Sequence, residues 1–396
     1  MNIYLLLDYM KKSDRKYRMI FYTHDGAGLG HLTRISRIAE ALSTHHNVEC
    51  MVVSGFREMS FVVNKNLHVC KLPSRDSMIE ERANYWNQHA FIDIDIPEVY
   101  KWRRVDMETI FSLYMPDAFF IDYYVTGKRE ELLEIIKKHH KTTLFYYINR
   151  GIIGCEWSIK TQVLTENNCM MLEKYFKRIF LTNDESVFDF TKVYDLSNEI
   201  KNKCINVGYI SKKISAAEIK RTRTLRNVND KVWVVCTAGG GKLGESFIET
   251  MIQIATEFPE AEFDIISGPR NSIELPVSDS KNCRYHKCLN NLSSFIAAAD
   301  ICITTGGYNT MTEAMSNDTY MMIKPSQLEK EDEQFFHASL LSLKMDTDLL
   351  IKDENDLKDK IREFLKYRSV PDYSKLNMNG LKTIKKIVLN DLNVLL

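Results

Sequence analysis

The 396-residue chain has no net charge, 53 Lys and Arg balancing 53 Asp and Glu. The broad attraction to phosphate backbones that non-specific nucleic-acid binding relies on is therefore missing. No apolar run approaches the roughly 18 residues needed to span a bilayer. No secretory signal is expected either: the short apolar start, residues 3–7, is interrupted by Asp8, and its basic residues (Lys11, Lys12, Arg15, Lys16 and Arg18) follow it instead of preceding it. The nine cysteines are odd in number and lack paired spacing, which speaks against a disulfide framework and suits a reducing cytoplasm. Cys283, His286 and Cys288 lie close together, but no second ligand pair completes the four ligands of a structural zinc site, so no metal is expected there. Internal repeats and low-complexity tracts are absent. A cytoplasmic protein is expected, soluble or at most resting on the inner face of a membrane.

What is present is a hydrophobic fraction of 44%, enough at this length to bury two cores. Short apolar runs alternate with longer amphipathic stretches, the pattern of parallel sheets with helical crossovers. In the first half, strands are expected at 18–23, 48–53, 68–72, 118–122, 143–148 and 178–182, with the clearest helices at 32–43 and 130–139. Residues 211–231 are charged and lack apolar periodicity, and read as a linker. Beyond them strands are expected at 232–236, 263–267, 301–305 and 320–324, with helices at 245–258, 292–299, 309–315 and 333–343. The fold class is therefore α/β, two doubly wound Rossmann-like domains facing across a cleft: 1–210, then 232–370, with a last helix in 371–396 packing back on the first domain. Ligands of such sheets bind at the carboxyl ends of the strands.

Glycine loops stand at those ends. The first strand runs into Asp25-Gly26-Ala27-Gly28-Leu29-Gly30-His31 and then a helix. Glycines let the backbone turn sharply beside a ligand, and a helix start offers unpaired N–H groups. The spacing is G-x-G-x-G, not the G-x-G-x-x-G of dinucleotide binding, and no acidic residue ends the next strand to hold a ribose. A plain strand-to-helix turn is the bland reading, but it has no use for His31. The second half has two more loops: Thr237-Ala238-Gly239-Gly240-Gly241-Lys242, and Thr304 to Thr310 containing Gly306 and Gly307. Neither supplies the Gly-Lys-Ser/Thr of a Walker A loop, but the two can converge on one anion. Glu313, four residues after Asn309, can accept bonds from the two neighbouring hydroxyls of a ribose; otherwise it is a solvated helix glutamate.

This combination resembles the GT-B glycosyltransferases, in particular the transferase that adds N-acetylglucosamine to the lipid-linked peptidoglycan precursor, and related predicted bacterial glycosyltransferases of cell-envelope or glycoconjugate biosynthesis. The resembling segments are GLGHLTR (28–34), PDAFFID (116–122), INVGY (205–209), TAGGG (237–241), SGP (267–269), AAADICITTGGYNTMTEAM (297–315), and Pro325 followed by Glu333-Gln334. The resemblance implies a GT-B fold and a metal-independent, inverting transfer of a sugar from a nucleotide diphosphate donor, UDP foremost. It further implies that Gly306, Gly307 and Thr310 lie with Gly239, Gly240 and Gly241 at the diphosphate. Glu313 falls at the ribose, Leu289 at the uracil, Glu333 and Gln334 at the donor sugar. Gly28, Gly30, His31 and Arg34 fall on the acceptor side. No cofactor is implied. Ser326, where a basic residue is expected, and the 1–16 extension depart from the family.

An attacking hydroxyl needs a base with a pKa near the working pH, and imidazole qualifies, which makes His31 the first candidate, with Asp122 and Asp25 next. The alternative for His31 is a neutral histidine capping its loop. Asp93-Ile94-Asp95 matches by letter the Asp-x-Asp pair of metal-dependent transferases, but no glycine loop lies beside it. Two other functions stay open: a non-hydrolysing nucleotide-sugar epimerase and a catalytically silent sugar-nucleotide-binding subunit. The acceptor is unspecified, either a small molecule or a lipid-linked one. Tyr100-Lys101-Trp102-Arg103-Arg104, with the basic start, fits peripheral membrane contact; a solvated helix face is the preferred reading.

Overall fold

The computed structural model describes residues 16–25, 29–56, 59, 66–74, 96–154, 159–161, 163–239, 244–269, 273–276, 281–325 and 333–393. Two parallel sheets organise them. The first holds β1 (Tyr17–Thr23), β2 (Val48–Ser54), β3 (His68–Lys71), β4 (Ala118–Asp122), β5 (Leu144–Asn149), β6 (Phe176–Leu181) and β7 (Cys204–Asn206), in the order β3-β2-β1-β4-β5-β6-β7. The second holds β8 (Val232–Thr237), β9 (Ala261–Ile266), β10 (Cys283–His286), β11 (Ile301–Thr304) and β12 (Tyr320–Ile323), in the order β10-β9-β8-β11-β12. The principal helices, in chain order, are α1 (Gly30–Ser43), α2 (Ile96–Tyr114), α3 (Ala216–Arg226), α4 (Glu245–Glu257), α5 (Leu292–Ala298), α6 (Tyr308–Ser316), α7 (Glu333–Met345), α8 (Glu354–Tyr367) and α9 (Gly380–Asp391). The fold is α/β with two doubly wound domains.

The central strands are apolar on both faces because helices cover both. In β4, Ala-Phe-Phe-Ile-Asp is buried throughout. On one face the rings of Phe21, Phe120, Tyr146 and Phe180 follow one another across β1, β4, β5 and β6 at centroid spacings of 4.4, 4.8 and 5.5 Å. That face continues through Tyr209 and Tyr308 into the second sheet, so one apolar cluster serves parts of both halves. Tyr308 Oη donates to the Thr182 carbonyl at 2.5 Å and accepts from Ile210 N–H at 3.0 Å. Helix α9 packs against α1, and its Asp391 carboxylate accepts from Tyr146 Oη at 3.2 Å and from Arg178 Nη2 at 3.1 Å.

The structure amends several expectations. Residues 211–231 contain a real helix, α3. It lacks an apolar stripe but opens on the capping box Ser215-Ala216-Ala217-Glu218, with Ser215 Oγ accepting from Glu218 N–H at 3.2 Å. It closes on Asn227 in the left-handed region, φ 60°. Its Arg226 donates through Nε at 2.6 Å to Asp264, which also receives Trp233 Nε1 at 2.6 Å and lies 2.5 Å from His286 Nε2. His286 is thus committed to Asp264, and no metal-holding group occurs among the described residues. Among these residues, no helix is long and apolar enough to cross a membrane. The short strands β7 and β10 and helix α8 were not anticipated.

The basic cluster at 100–104 divides: Lys101, Trp102 and Arg104 are exposed, while Tyr100 and Arg103 point inward. Arg103 donates to Glu131 through Nε at 2.6 Å and Nη2 at 3.0 Å, and through Nη1 to Asp25 at 3.1 Å and the Pro73 carbonyl at 2.9 Å. Tyr22 Oη donates to the same Glu131. Gly55 lies beside this cluster, where a Cβ would come within 2.5 Å of Arg103 Nη1. Removing one member of a buried ion cluster strands the others. Arg103→Met is therefore expected to cost about 3–5 kcal/mol in urea unfolding. Arg103→Lys is expected to recover only part, because an ammonium cannot span Glu131 in the two-pronged manner of a guanidinium. A loss under 1 kcal/mol would show the cluster to be dispensable.

Candidate active site

In each sheet the strand order reverses once, between β1 and β4 and between β8 and β11, and at such switch points a crevice opens beyond the strand ends. Thr23 of β1 pairs in register with Asp122 of β4, and Thr237 of β8 with Thr304 of β11. The residues singled out in the sequence follow these four ends.

In the first half, His31 stands in the first turn of α1 and Arg34 one turn further, on neighbouring positions of the helix surface. Both reach Asp122, which is fully buried. His31 Nδ1 lies 2.7 Å from one carboxylate oxygen, and Arg34 Nη2 donates to the other at 2.6 Å. Arg34 Nη2 is also 3.1 Å from His31 Nδ1, and its guanidinium lies 5.4 Å from the ring centroid of Tyr308 across the cleft. Burial alone would raise the Asp122 carboxyl, but the Arg34 guanidinium and His31 outweigh it and hold the group well below the usual carboxylate range. Burial pushes His31 down to about 4 against the upward pull of Asp122. His31 is therefore a neutral imidazole at pH 7 with Nδ1 occupied by the carboxylate. Asp25 is buried and committed to Arg103.

In the second half, the two glycine loops are built alike. Thr237 Oγ1 accepts from Gly239 N–H at 3.1 Å, and Thr304 Oγ1 accepts from Gly306 N–H at 3.3 Å, so each strand's last threonine turns the chain that follows it. Gly239 and Gly306 have φ of +80° and +87°, where a side chain would be strained. Among the described residues, a Cβ at Gly239 or Gly307 would meet nothing within 4 Å. Gly307 directly precedes α6, whose first turn contains Thr310. A Cβ on Gly306 would sit 3.6 Å from that of Gln334, which places the start of α7 beside this loop. Leu289 follows β10 and is half-buried against the shared core.

Arginines from the first half cross to the acidic residues of the second. Glu313 is buried, accepts from Ser293 Oγ at 2.9 Å and pairs with Arg37 of α1. Arg150 Nη1, just past β5, lies 2.5 Å from Glu333. Asn309 Nδ2 donates to the Gly30 carbonyl at 2.9 Å. Arg37 Nη1 is buried with no acceptor among the described residues. The structure thus brings His31, Arg34 and Asp122 together, places Gly30, Gly239, Gly306, Gly307, Thr310, Glu313, Glu333 and Gln334 on the two sides of the same cleft, and pairs Asp25 with Arg103. Gly28, Gly240, Gly241, Asp93 and Asp95 lie outside the described residues. Arg37, Arg150 and Tyr308 were missed. The signal for Arg37 was available: His31, Arg34 and Arg37 recur every third residue along a helix whose other buried positions are mostly apolar.

Two reversing parallel sheets facing each other across this cleft form the GT-B fold. The chain carries, at residues 234–387, a match to the glycosyltransferase family 28 C-terminal domain. Among solved structures, spinosyn forosaminyltransferase is 13% identical with a TM-score of 0.61, over 96% of this chain and 99% of that one. The glycotransferase of kitacinnamycin is 12% identical with a TM-score of 0.60, over 95% and 99%. A UDP-GlcNAc 2-epimerase from Neisseria meningitidis, bound to UDP-GlcNAc, is 12% identical with a TM-score of 0.57, over 95% and 99%. A search of curated proteins finds no match.

Three histidines, His24 and His337 buried and His31 partly so, make a pH prediction. His31 is held at about 4 and His337 at about 3, each by burial first, and His24 well below its ordinary value by burial and by His31. All three lie below the unfolded value of about 6.5, so beneath that pH the unfolded chain takes up protons that the folded chain refuses. Their contribution to stability is complete above pH 6.5 and is lost as the pH falls towards 4. The slope is about 1.4 kcal/mol per pH unit for each histidine. Urea midpoints between pH 7 and 4 are expected to fall accordingly, and His337→Gln to remove about a third of the slope. A midpoint that stays flat from pH 7 to 5 would contradict neutral burial.

Proposed function

We propose that the chain is a metal-independent, inverting hexosyl- or N-acetylhexosaminyltransferase that moves a sugar from a UDP-sugar to an acceptor hydroxyl. The observation that carries this reading is His31, oriented by buried Asp122, on a helix whose Gly30 and Arg37 contact Asn309 and Glu313 of the helix that follows the Gly306-Gly307 loop. In the reaction the acceptor oxygen forms a bond to C1 of the sugar as the bond from C1 to the diphosphate breaks. His31 Nε2 takes the acceptor proton while Nδ1–H stays bonded to Asp122, which positions the base; burial holds the imidazole at about 4, so it is in its proton-accepting form throughout the neutral range but is a weaker base than the free imidazole expected from the sequence. Charge grows on the leaving diphosphate. The N–H of Gly307, the start of α6 and Arg37 Nη1 are assigned to that charge, while the Gly239 and Gly306 N–H groups hold the loops in shape through Thr237 and Thr304. Glu313 is assigned to the ribose, Leu289 to the uracil, and Glu333 with Gln334 to the sugar hydroxyls. On donor binding, Arg37 and Arg150 share or release these carboxylates. Gly30 and Arg34 lie on the acceptor side, where the acceptor is a small molecule or a lipid-linked one.

The fold likeness to UDP-GlcNAc 2-epimerases favours one second reading, an epimerase acting on the donor alone. Incubating a labelled UDP-sugar without acceptor separates the two, since only an epimerase turns it over.

Calorimetry with UDP tests the donor site. Glu313→Gln keeps the shape and removes the charge, and is expected to weaken UDP by about ten- to a hundredfold, the range of one charge-assisted hydrogen bond. An unchanged affinity would remove Glu313 from the site.

Turnover tests the base. His31→Ala is expected to slow UDP release in the presence of acceptor by roughly 10²–10⁴ while UDP affinity stays close to wild type. Wild-type turnover is expected to be untouched by EDTA. Survival of the variant within a few-fold, or loss on chelation restored by magnesium, would overturn the mechanism.

A further inference from the structure

A cavity of about 330 Å³ lies between α3, β10 and α5 of the second half. The described residues that line it belong to those three elements and the turn before α5, none of them to the first half or to a glycine loop. Its floor is built around a charge. Asp264 is fully buried, receives Arg226 Nε and Trp233 Nε1 at 2.6 Å each, and lies 2.5 Å from His286 Nε2. A buried carboxylate with three such partners holds them in place. Arg226, only 5% exposed, and His286 both line the cavity, so two polar groups are set there before any ligand arrives.

The walls differ in kind. Phe295 of α5 is half-buried and stands edge to face with Trp233 and His286, at centroid distances of 5.1 and 6.0 Å. Leu225 of α3 lines the cavity yet is 75% exposed, so apolar area remains to be covered at its mouth. Arg221 and Arg284 add two exposed guanidiniums, and Glu218, 3.8 Å from Arg221, is the one acidic side chain among the described lining residues. Three arginines against one glutamate make the cavity cationic. A guanidinium matches carboxylate and phosphate alike, while an apolar wall favours a ligand with a hydrocarbon body. The volume is at the lower end of the roughly 300–1,000 Å³ of small-molecule sites, which suits one or two fused rings better than a whole nucleotide sugar.

The cavity also brackets the segment assigned to the uracil. His286 ends β10 and Asn291 directly precedes α5; both line the cavity, and Leu289 stands between them in the chain. A ligand that touches both ends of this connection can favour one position of it and so shift donor affinity.

We propose that this cavity is a second ligand site, for a small oxyanion with an apolar ring body, and that its occupancy changes donor affinity through the β10–α5 connection. The coupling rests on the donor reading above, whereas the site itself does not.

Ligand-observed NMR titration of the full chain tests the site, with 2-naphthoate and 1-naphthyl phosphate as probes and 2-naphthamide and acetate as contrasts. One of the two oxyanions is expected to bind about tenfold or more tighter than either contrast, and which one it is tells carboxylate from phosphate. Arg284→Glu reverses a charge on an exposed side chain, and Leu225→Trp fills the mouth from an exposed position. Each is expected to weaken the better probe by about tenfold or more, with the thermal midpoint and the UDP affinity of the probe-free chain unchanged. Naphthamide bound as tightly as naphthoate and naphthyl phosphate would overturn the oxyanion class, and full probe affinity in both variants would overturn the site. Calorimetry with UDP tests the coupling: saturating probe is expected to change the UDP dissociation constant by about fivefold or more and then level off. A shift that grows without limit as probe is added would mean that both compete for one place, which sinks the second site, and no shift would sink the coupling. A chain that binds the probe in an Arg284-dependent manner but binds no UDP upholds the cavity and sinks the donor reading. One that binds UDP but no probe sinks the cavity alone.

Discussion

A carboxylate that water cannot reach must be paired or neutralised, and Asp122 is paired twice over. That requirement fixes much of the cleft. Arg34 and His31 must both face the end of β4, which sets the rotation of α1 about its axis. The rotation in turn carries Arg37, one further turn along, towards Glu313 of the other half. The position of Asp122 is itself set by register, opposite Thr23 at the reversal of the strand order. A single buried charge thus ties strand pairing, helix orientation and the meeting of the two halves into one arrangement.

The halves meet through unlike contacts. Tyr308 is an apolar and hydrogen-bonded anchor, its hydroxyl held between Thr182 and Ile210. The Arg37–Glu313 and Arg150–Glu333 pairs are of another kind: four side chains that are 7 to 18% exposed, each pair joining a first-half arginine to a second-half glutamate. Tyr308 and Glu313 share α6, so the anchor and one of the pairs rest on the same element.

Much of this was legible in the sequence where local chemistry was redundant. Glycine loops after apolar runs marked three of the four strand ends at the cleft, and all strands but β7 and β10 were found to within about two residues, because continuous apolar runs in a doubly covered sheet leave little ambiguity. His31 and Asp122 were named separately, but nothing in their spacing of 91 residues could show that they touch. Arg103 was misread as part of a surface cluster, since its neighbours on α2 are exposed and only the tertiary fold supplies Asp25 and Glu131. Helix α3 escaped because its apolar content is low and its support is a cap and an ion pair, signals weaker than periodicity.

The last helix has a bearing on how the protein is made. Ile384, Val388 and Leu389 of α9 belong to the buried cluster that contains Phe21, Phe120 and Tyr146 of the first sheet. That face is finished by residues emerging from the ribosome long after its own last strand, which ends at Asn206. At about 5–20 residues per second, the aromatic ladder waits roughly ten to forty seconds for its cover. During synthesis the part of that face not covered by α1 thus stays open to water until the chain returns to it.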